Sequence, residues 1–150
     1  MILVSACLLG QPVRYDGRHS FSQEALRLVG NEPVLALCPE VMAGLGVPRP
    51  PARFVGARRG QEGQDLLDGR ARLLDDQGRD VSQAFVRGSR IVLAQALEGG
   101  VRLALLKDRS PSCAWDPEGN NPQDGPGLGV LAALLKAADI ELREVRAAAR

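Results

Sequence analysis

Three cysteines, Cys7, Cys38 and Cys113, are the residues of this 150-residue sequence that point most directly to chemistry. Each follows a short apolar run that is typical of a buried β-strand. Ligands in open α/β sheets bind at the carboxyl ends of the strands, and parallel strands bring positions that are distant in sequence to one edge. We therefore expect the three thiols to meet at one edge of the sheet.

Three thiolates at one point repel one another unless a cation compensates their charge. A metal centre would supply that cation. Because a fourth cysteine is absent, an iron-sulfur cluster here would have one iron without a cysteine ligand, and that iron could act as a Lewis acid. Ordinary buried cysteines are the competing interpretation, since free cysteine is among the most buried residue types.

Polar groups near the cysteines extend the candidate site. Glu40 follows Cys38 by two residues and could act as a general base for water. Ser110 and Ser112 flank a proline next to Cys113, where their hydroxyls could donate hydrogen bonds to sulfur or to developing charge. The structural alternatives are a carboxylate at a helix N-terminus for Glu40 and turn or cap formation for the two serines.

A second group of residues could bind the substrate. Arg14, Tyr15 and Asp16 in RYDG combine a planar cation, an aromatic face and a carboxylate, a set suited to a planar heterocycle. A turn with an internal Arg–Asp pair is the alternative. Arg49 could orient the substrate or anchor its loop. The glycine-rich stretch before the last helix lacks the Lys-Ser/Thr pair of a phosphate loop, so we interpret it mainly as a turn.

The elements that must position these groups alternate between strands and helices. Apolar periodicity and turn signals predict strands at 2–6, 34–37, 70–74, 101–106 and 141–145, the last as an edge strand. Helices are predicted near 22–29, at 81–97 and at 130–138, with Ser20 or Ser22 and Asp80 or Ser82 as N-caps. Residues 42–63 are predicted to be an ordered loop or a partly extended segment without a helix. The alternation predicts one α/β domain over residues 1–150, a three-layer, Rossmann-like fold with a mainly parallel sheet flanked by helices.

Composition narrows the function classes. The chain carries 19 basic and 18 acidic residues, a formal charge of +1, which argues against a nucleic-acid partner. A single histidine, His19, excludes sites that need two, such as HExxH zinc centres. No apolar run reaches the ~20 residues of a membrane span, and the first ten residues lack the basic region of a signal peptide. We expect a cytoplasmic protein without a membrane partner.

The motifs taken together resemble those of one family. SACLLG with RYDG, LCPE with GLGVPRPP, and LKDRSPSC are similar, in this order and over almost the whole chain, to the bacterial thiouracil desulfidase family, formerly a domain of unknown function (DUF523). That resemblance implies an α/β fold with a [4Fe-4S] cluster and a small thiolated pyrimidine as substrate. The free iron would take sulfur from the thiolated uracil without net redox change, leaving the oxo base and sulfide.

Residue by residue, the resemblance implies that Cys7, Cys38 and Cys113 are the cluster ligands. It further implies catalytic roles for Glu40 and Ser110. The expected reaction is a hydrolytic C–S cleavage.

Three other interpretations compete with the desulfidase. The first is a metal-binding or redox-sensing module, with zinc on the cysteines and His19 or with a non-catalytic cluster. The second is a thiol enzyme with Cys113 as nucleophile. The third is a structural domain without chemistry.

Overall fold

The computed structural model describes residues 1–120 and 125–146. Its six strands are β1 (Ile2–Ser5), β2 (Val34–Leu37), β3 (Ala52–Val55), β4 (Arg72–Asp75), β5 (Leu103–Lys107) and β6 (Glu141–Val145). Its α-helices are α1 (Gln23–Val29), α2 (Pro39–Met42), α3 (Glu62–Leu67), α4 (Ser82–Glu98) and α5 (Val130–Ala137), and a 3₁₀ helix spans Ala6–Leu9.

Four parallel strands form the central sheet in the order β2-β1-β5-β6. Side chains alternate between the two faces of such strands. One face packs against α1, and the other packs against α4 and α5. The α1 face carries Ile2, Val4 and Leu105, and the α4–α5 face carries Leu3, Ala104 and Leu106. The fold is therefore the predicted three-layer α/β arrangement, with its core on both sides of the sheet.

Most of the predicted elements are confirmed with small shifts at their ends. The second strand has the predicted bounds, and β6 lies at the edge of the sheet as expected. Ser22 is the N-cap of α1 and accepts a hydrogen bond of 3.0 Å from the amide of Ala25. The first strand ends one residue early, because Ala6 begins the 3₁₀ helix that contains Cys7.

For residues 42–63 the partly extended alternative is confirmed, and the absence of a helix is wrong at the end of the segment. It contains β3, which pairs antiparallel with β4 in a separate two-stranded sheet, and the first residues of α3. Prolines at 48, 50 and 51 hide the short strand in the sequence. Gly63 weakens the helical pattern of α3. Its place is set by tertiary packing, because a Cβ at Gly63 would overlap the backbone of Gly129.

The cap predicted for α4 also needs correction. Its N-cap is Val81, which makes no capping hydrogen bond with its side chain. Ser82 instead accepts the amide hydrogen of Leu73 at 2.8 Å, and Asp80 accepts the amide hydrogen of Ser82 at 2.9 Å. The serine therefore joins the helix to β4, a long-range role that local sequence does not reveal.

Within residues 1–120 and 125–146, none of the helices combines the length and apolar character that a membrane span requires.

Candidate active site

The carboxyl ends of β1, β2 and β5 open into a cavity of about 730 Å³ that is lined by all three cysteines. Cys7 lies in the 3₁₀ helix after β1, and Cys38 is the N-cap of α2 after β2. Cys113 closes a turn after β5, where its amide and that of Ser112 donate to the Ser110 hydroxyl at 3.0 and 3.1 Å. The predicted convergence of the cysteines is therefore present in the fold.

The three thiols share one electrostatic environment. Burial raises the pKa of the Cys7 thiol to about 11, with Lys107 acting in the opposite direction and the Cys38 thiol adding to the rise. Burial and Glu40 raise the pKa of Cys38. Burial also raises the pKa of Cys113, with additional effects of the other two thiols. Without a bound cation these groups stay protonated near neutral pH, and a metal cluster is the kind of partner that removes their protons.

The donor geometry discriminates between kinds of metal centre. Among the described residues, no group of three His, Cys, Asp or Glu side chains is spaced to hold a single metal ion. His19 is exposed, outside the cavity lining, and its Nδ1 accepts the amide hydrogen of Phe21 at 3.1 Å. A zinc site made of the cysteines and His19 therefore does not form. The three cysteines are therefore the candidate ligands that remain in the cavity lining.

Glu40 lies in the first turn of α2 and lines the cavity beside Cys38. The Cys38 thiol donates to Glu40 Oε2 at 4.0 Å and to the carbonyl of Val13 at 3.9 Å. Burial raises the pKa of the Glu40 carboxyl, and Arg49 opposes that rise by charge and hydrogen bonding. A carboxylate with a raised pKa is a stronger base than one in water.

Ser110 combines a structural contact with a free donor. Its oxygen accepts two backbone N–H groups, so its own O–H remains available to a group inside the cavity, which Ser110 lines. Ser112 differs, because its side chain is fully buried, lies outside the cavity lining and has no hydrogen-bond partner within the described part of the chain. The two serines, paired in the sequence prediction, are therefore separated by the fold.

The fold places only some residues of the RYDG segment in the cavity lining. Arg14 and Tyr15 line the cavity, and the Tyr15 side chain is exposed, whereas Asp16 is not part of the lining. Asp16 pairs with Arg14 at 3.2 Å and accepts the amide hydrogen of Arg18 at 3.0 Å. The internal Arg–Asp pair considered from the sequence is thus present, and it fixes the guanidinium at the cavity.

Arg49 lies deeper in the same wall, with only 6% of its side chain exposed. Its Nη1 donates to the carbonyl of Gly46 and its Nη2 to that of Val13, both at 2.9 Å. Nη2 also lies 3.4 Å from Glu40 Oε2 and 4.0 Å from the Cys38 sulfur. Arg49 therefore anchors its loop as well as lining the cavity.

Two residues of the site were missed by sequence reasoning. Ser5 ends β1, lines the cavity and hydrogen-bonds to the Cys113 thiol, while its oxygen accepts the amide hydrogen of Lys107 at 3.1 Å. Lys107 ends β5, is buried, and its Nζ donates to the carbonyl of Asp108 at 2.9 Å. Their positions at strand ends were the available signal, because residues at that edge face the crevice.

The cavity wall carries an excess of positive charge. Among the described residues, its charged members are Arg14, Arg49, Arg53, Arg59, Lys107, Arg109, Glu40 and Glu62. Arg14, Arg49 and Lys107 thus oppose, by their charge, the rise that burial causes in the pKa values of Cys7, Cys38 and Glu40.

The glycine-rich stretch before α5 does not offer an open anion site. Its first residue lies outside the described part of the chain. The first amides of the helix are already used, because Val130 donates to the carbonyl of Pro111 at 2.9 Å and Leu131 to that of Ser112 at 2.8 Å. In its described part the stretch bends at Gly125 and Gly127, and these bonds fasten the Cys113 turn to the helix.

Comparisons with known proteins identify the family of this chain. A family model described as 2-thiouracil desulfurase matches residues 2–146. A Bacillus subtilis (strain 168) protein described as uncharacterized protein YbbK is 38% identical over 141 residues, which cover 92% of this chain and 91% of that protein. A solved structure, the [4Fe-4S]-dependent thiouracil desulfidase TudS, is 38% identical with a TM-score of 0.71 and covers 95% of this chain and 89% of its own. The resemblance found in the motifs is confirmed, and the chain belongs to the 2-thiouracil desulfurase family.

Proposed function

We propose that this protein is a [4Fe-4S]-dependent desulfidase that converts a thiolated uracil-type base or nucleoside to the oxo base and releases sulfide. The observation that carries the proposal is the meeting of three thiols, two buried and one half-buried, in the lining of one cavity beside a carboxylate. The solved structure to which the chain is similar is described as [4Fe-4S]-dependent.

Cys7, Cys38 and Cys113 would hold the cluster. The donor set fits, since three thiols leave one iron of a four-iron cluster without a protein ligand. When bound, the cluster supplies a Lewis acid that polarises the thiocarbonyl group of the substrate.

Glu40 would act as the general base. Its carboxylate lines the cavity next to Cys38, and burial raises its pKa. It would remove a proton from the water that attacks the thiocarbonyl carbon and hold that proton on a carboxyl oxygen. Arg49 keeps this carboxylate next to a positive charge at 3.4 Å.

Ser110 would donate a hydrogen bond to the charge that develops on the substrate, because its oxygen already accepts two amides and its proton is the free group. Arg14 and Tyr15 would contact the planar ring, with the aromatic face stacked against it. Asp16 would contribute by orienting Arg14. A direct catalytic role of Ser112 has no support in the cavity lining.

The test is sulfide release from 2-thiouracil and 4-thiouracil by protein reconstituted anaerobically with iron and sulfide. We expect one sulfide and one uracil per substrate consumed, with no added reductant or oxidant. The matched control is Cys38→Ser treated identically, which should bind less iron and release no sulfide above background. A wild-type protein that carries a full cluster and leaves both substrates and 4-thiouridine intact would contradict the proposal.

The competing thiol enzyme predicts activity in metal-free protein. Cys113 is 4% exposed and its raised pKa makes it a poor nucleophile. Metal-free protein should therefore be inactive, and Cys113 should react slowly with an alkylating reagent.

A further inference from the structure

The guanidinium of Arg49 is oriented differently from that of a typical substrate-binding arginine. Such residues usually present the flat fork of the guanidinium to a ligand through two parallel N–H bonds. Here both terminal nitrogens are directed at the protein, Nη1 to Gly46 and Nη2 to Val13. The third nitrogen, Nε, is buried without a partner in the described part of the chain. Both terminal nitrogens of the fork are thus held by backbone carbonyls of the protein.

The groups around this guanidinium come from three separate segments. Val13 belongs to the loop after the 3₁₀ helix, and Glu40 and Cys38 belong to the start of α2. Arg49 itself belongs to the loop that leads to β3, and its backbone amide donates to the carbonyl of Tyr15 at 2.8 Å. The cavity wall is thus made of short pieces, and the side chain of Arg49 is their common contact.

The distances from the guanidinium show which groups hold Arg49 in place and which group Arg49 orients. The carbonyl bonds of 2.9 Å fix the guanidinium in the wall. The Glu40 carboxylate then lies 3.4 Å from Nη2 and the Cys38 sulfur 4.0 Å from the same atom. Two backbone carbonyls therefore hold the arginine, and the arginine in turn constrains the direction of the carboxylate.

We infer that Arg49 is a positioning residue that orients the Glu40 carboxylate beside Cys38 and joins the loops that carry Val13 and Gly46, and that it does not bind the substrate. This inference rests on the proposed function of the same cavity, in which Glu40 activates water. A displacement of about 1 Å of a catalytic group lowers a rate by up to about 10²-fold, and we expect loss of the Arg49 side chain to allow the Glu40 carboxylate a movement of that order.

The kinetic test compares Arg49→Met with Glu40→Gln and with the double variant, all reconstituted with the cluster. We expect Arg49→Met to lower kcat by about 10²-fold and to change KM by less than about 3-fold. Because Arg49 acts through Glu40, the double variant should lose no more than about 3-fold beyond Glu40→Gln alone. A KM that rises 10-fold with kcat preserved, or losses that multiply in the double variant, would overturn the inference.

Two further variants keep this test decisive. Arg87→Met is the matched control, because Arg87 is exposed and donates to the carbonyl of Ala43 at 3.2 Å outside the cavity lining. It should leave kcat and KM unchanged. Arg49→Lys retains the charge without the fork, and if Arg49→Met does not fold, the lysine variant must show the same loss in kcat at an unchanged KM.

A measurement without catalysis separates this inference from the proposed function. Hydrogen exchange in wild-type, Arg49→Met or Arg49→Lys, and Arg87→Met protein should show faster exchange only in the Arg49 variants. The affected peptides should be those covering residues 13–18 and 43–50, with an increase of at least about 5-fold. If wild-type protein fails on thiopyrimidines but the Arg49 variants show this faster exchange, the proposed function fails and the joining role of Arg49 stands. Unchanged exchange would reject the joining role even in an active enzyme.

Discussion

The two cysteine-bearing walls of the cavity are built by different physical means. Around Cys38, polar side chains provide the order, with Arg49 bonded to Glu40 and to backbone carbonyls. Around Cys113, backbone amides provide the order. Two of them donate to the Ser110 hydroxyl, and the first amides of α5 donate to the carbonyls of the same turn. Charged side chains hold the first wall, around Cys38, in place, and close packing holds the second wall, around Cys113.

Glycine makes the second wall possible. A Cβ at Gly129 would lie 2.7 Å from the amide nitrogen of Cys113 and would overlap the carbonyl of Ser112. The φ of Gly129 is −73°, so the residue is glycine for space and not for backbone conformation. A similar close approach supports the first wall, where a Cβ at Gly88 of α4 would lie 2.8 Å from the Cβ of Ala43 at the end of α2.

The comparison predicts that removing charge from the first wall affects chemistry without affecting the fold. We expect Glu40→Gln to lower kcat by about 10²- to 10⁴-fold, the range of general base catalysis. Iron content and Tm should stay close to wild type, because the glutamine keeps the shape of the side chain. Steady-state sulfide release and thermal melting measure the two effects, and retention of full activity would remove Glu40 from the mechanism.

Adding a methyl group to the second wall should do the reverse. We expect Gly129→Ala to destabilise the protein by about 1–3 kcal/mol, since overpacking displaces the Cys113 turn. The change corresponds to a decrease in Tm of about 2–4 °C per kcal/mol for a chain of this size. Gly99→Ala is the matched control, because its φ is −79° and its Cβ meets the flexible end of Met1 at 2.9 Å. Equal losses of stability in both variants would show that the close approach of Gly129 to Cys113 is no more sensitive to an added methyl group than the surroundings of Gly99.

The two serines of the second wall sharpen the comparison. Ser110→Ala should lower kcat by at least about 10-fold and lower stability by about 1 kcal/mol, because it removes the acceptor for two amides and the free donor. Ser112→Ala should change both by little, since its hydroxyl has no partner among the described residues. Steady-state kinetics and denaturant unfolding of both serine variants measure the two effects. The sequence-based catalytic role of Ser112 would be supported if its loss matched that of Ser110.

The smallest effect concerns a carboxylate outside the cavity. Asp65 is buried and bonds to the guanidinium and backbone amide of Arg58, which lowers the pKa of Asp65 from 3.8 to about 2. A lowered folded-state pKa stabilises the protein above the unfolded value, and this contribution is lost as the pH falls from about 4 to about 2. The Tm difference between wild type and Asp65→Asn should be largest near pH 6 and shrink over that interval. The exposed Asp68→Asn variant should show a smaller difference near pH 6.

Local patterns predicted much of the fold. The apolar runs at 34–37 and 141–145 and the helix at 130–138 were visible in the sequence because buried strands and amphipathic helices have strong periodicity. For β3 the sequence indicated only a partly extended segment, because prolines obscure the strand and pairing with β4 creates it. The helix α3 was not predicted, because Gly63 obscures it and packing against Gly129 sets its place.

The site shows the same division. Sequence alone determined the set of reactive groups and their edge of the sheet, since Cys7, Cys38 and Cys113 each follow a predicted strand. Only the tertiary structure decided which neighbours face the cavity. It brought Ser110, Arg49 and Lys107 to the wall and left Ser112 and Asp16 outside the lining. The reason is physical: the direction of a strand end follows from local periodicity, whereas the direction of a side chain in a turn depends on contacts with distant segments.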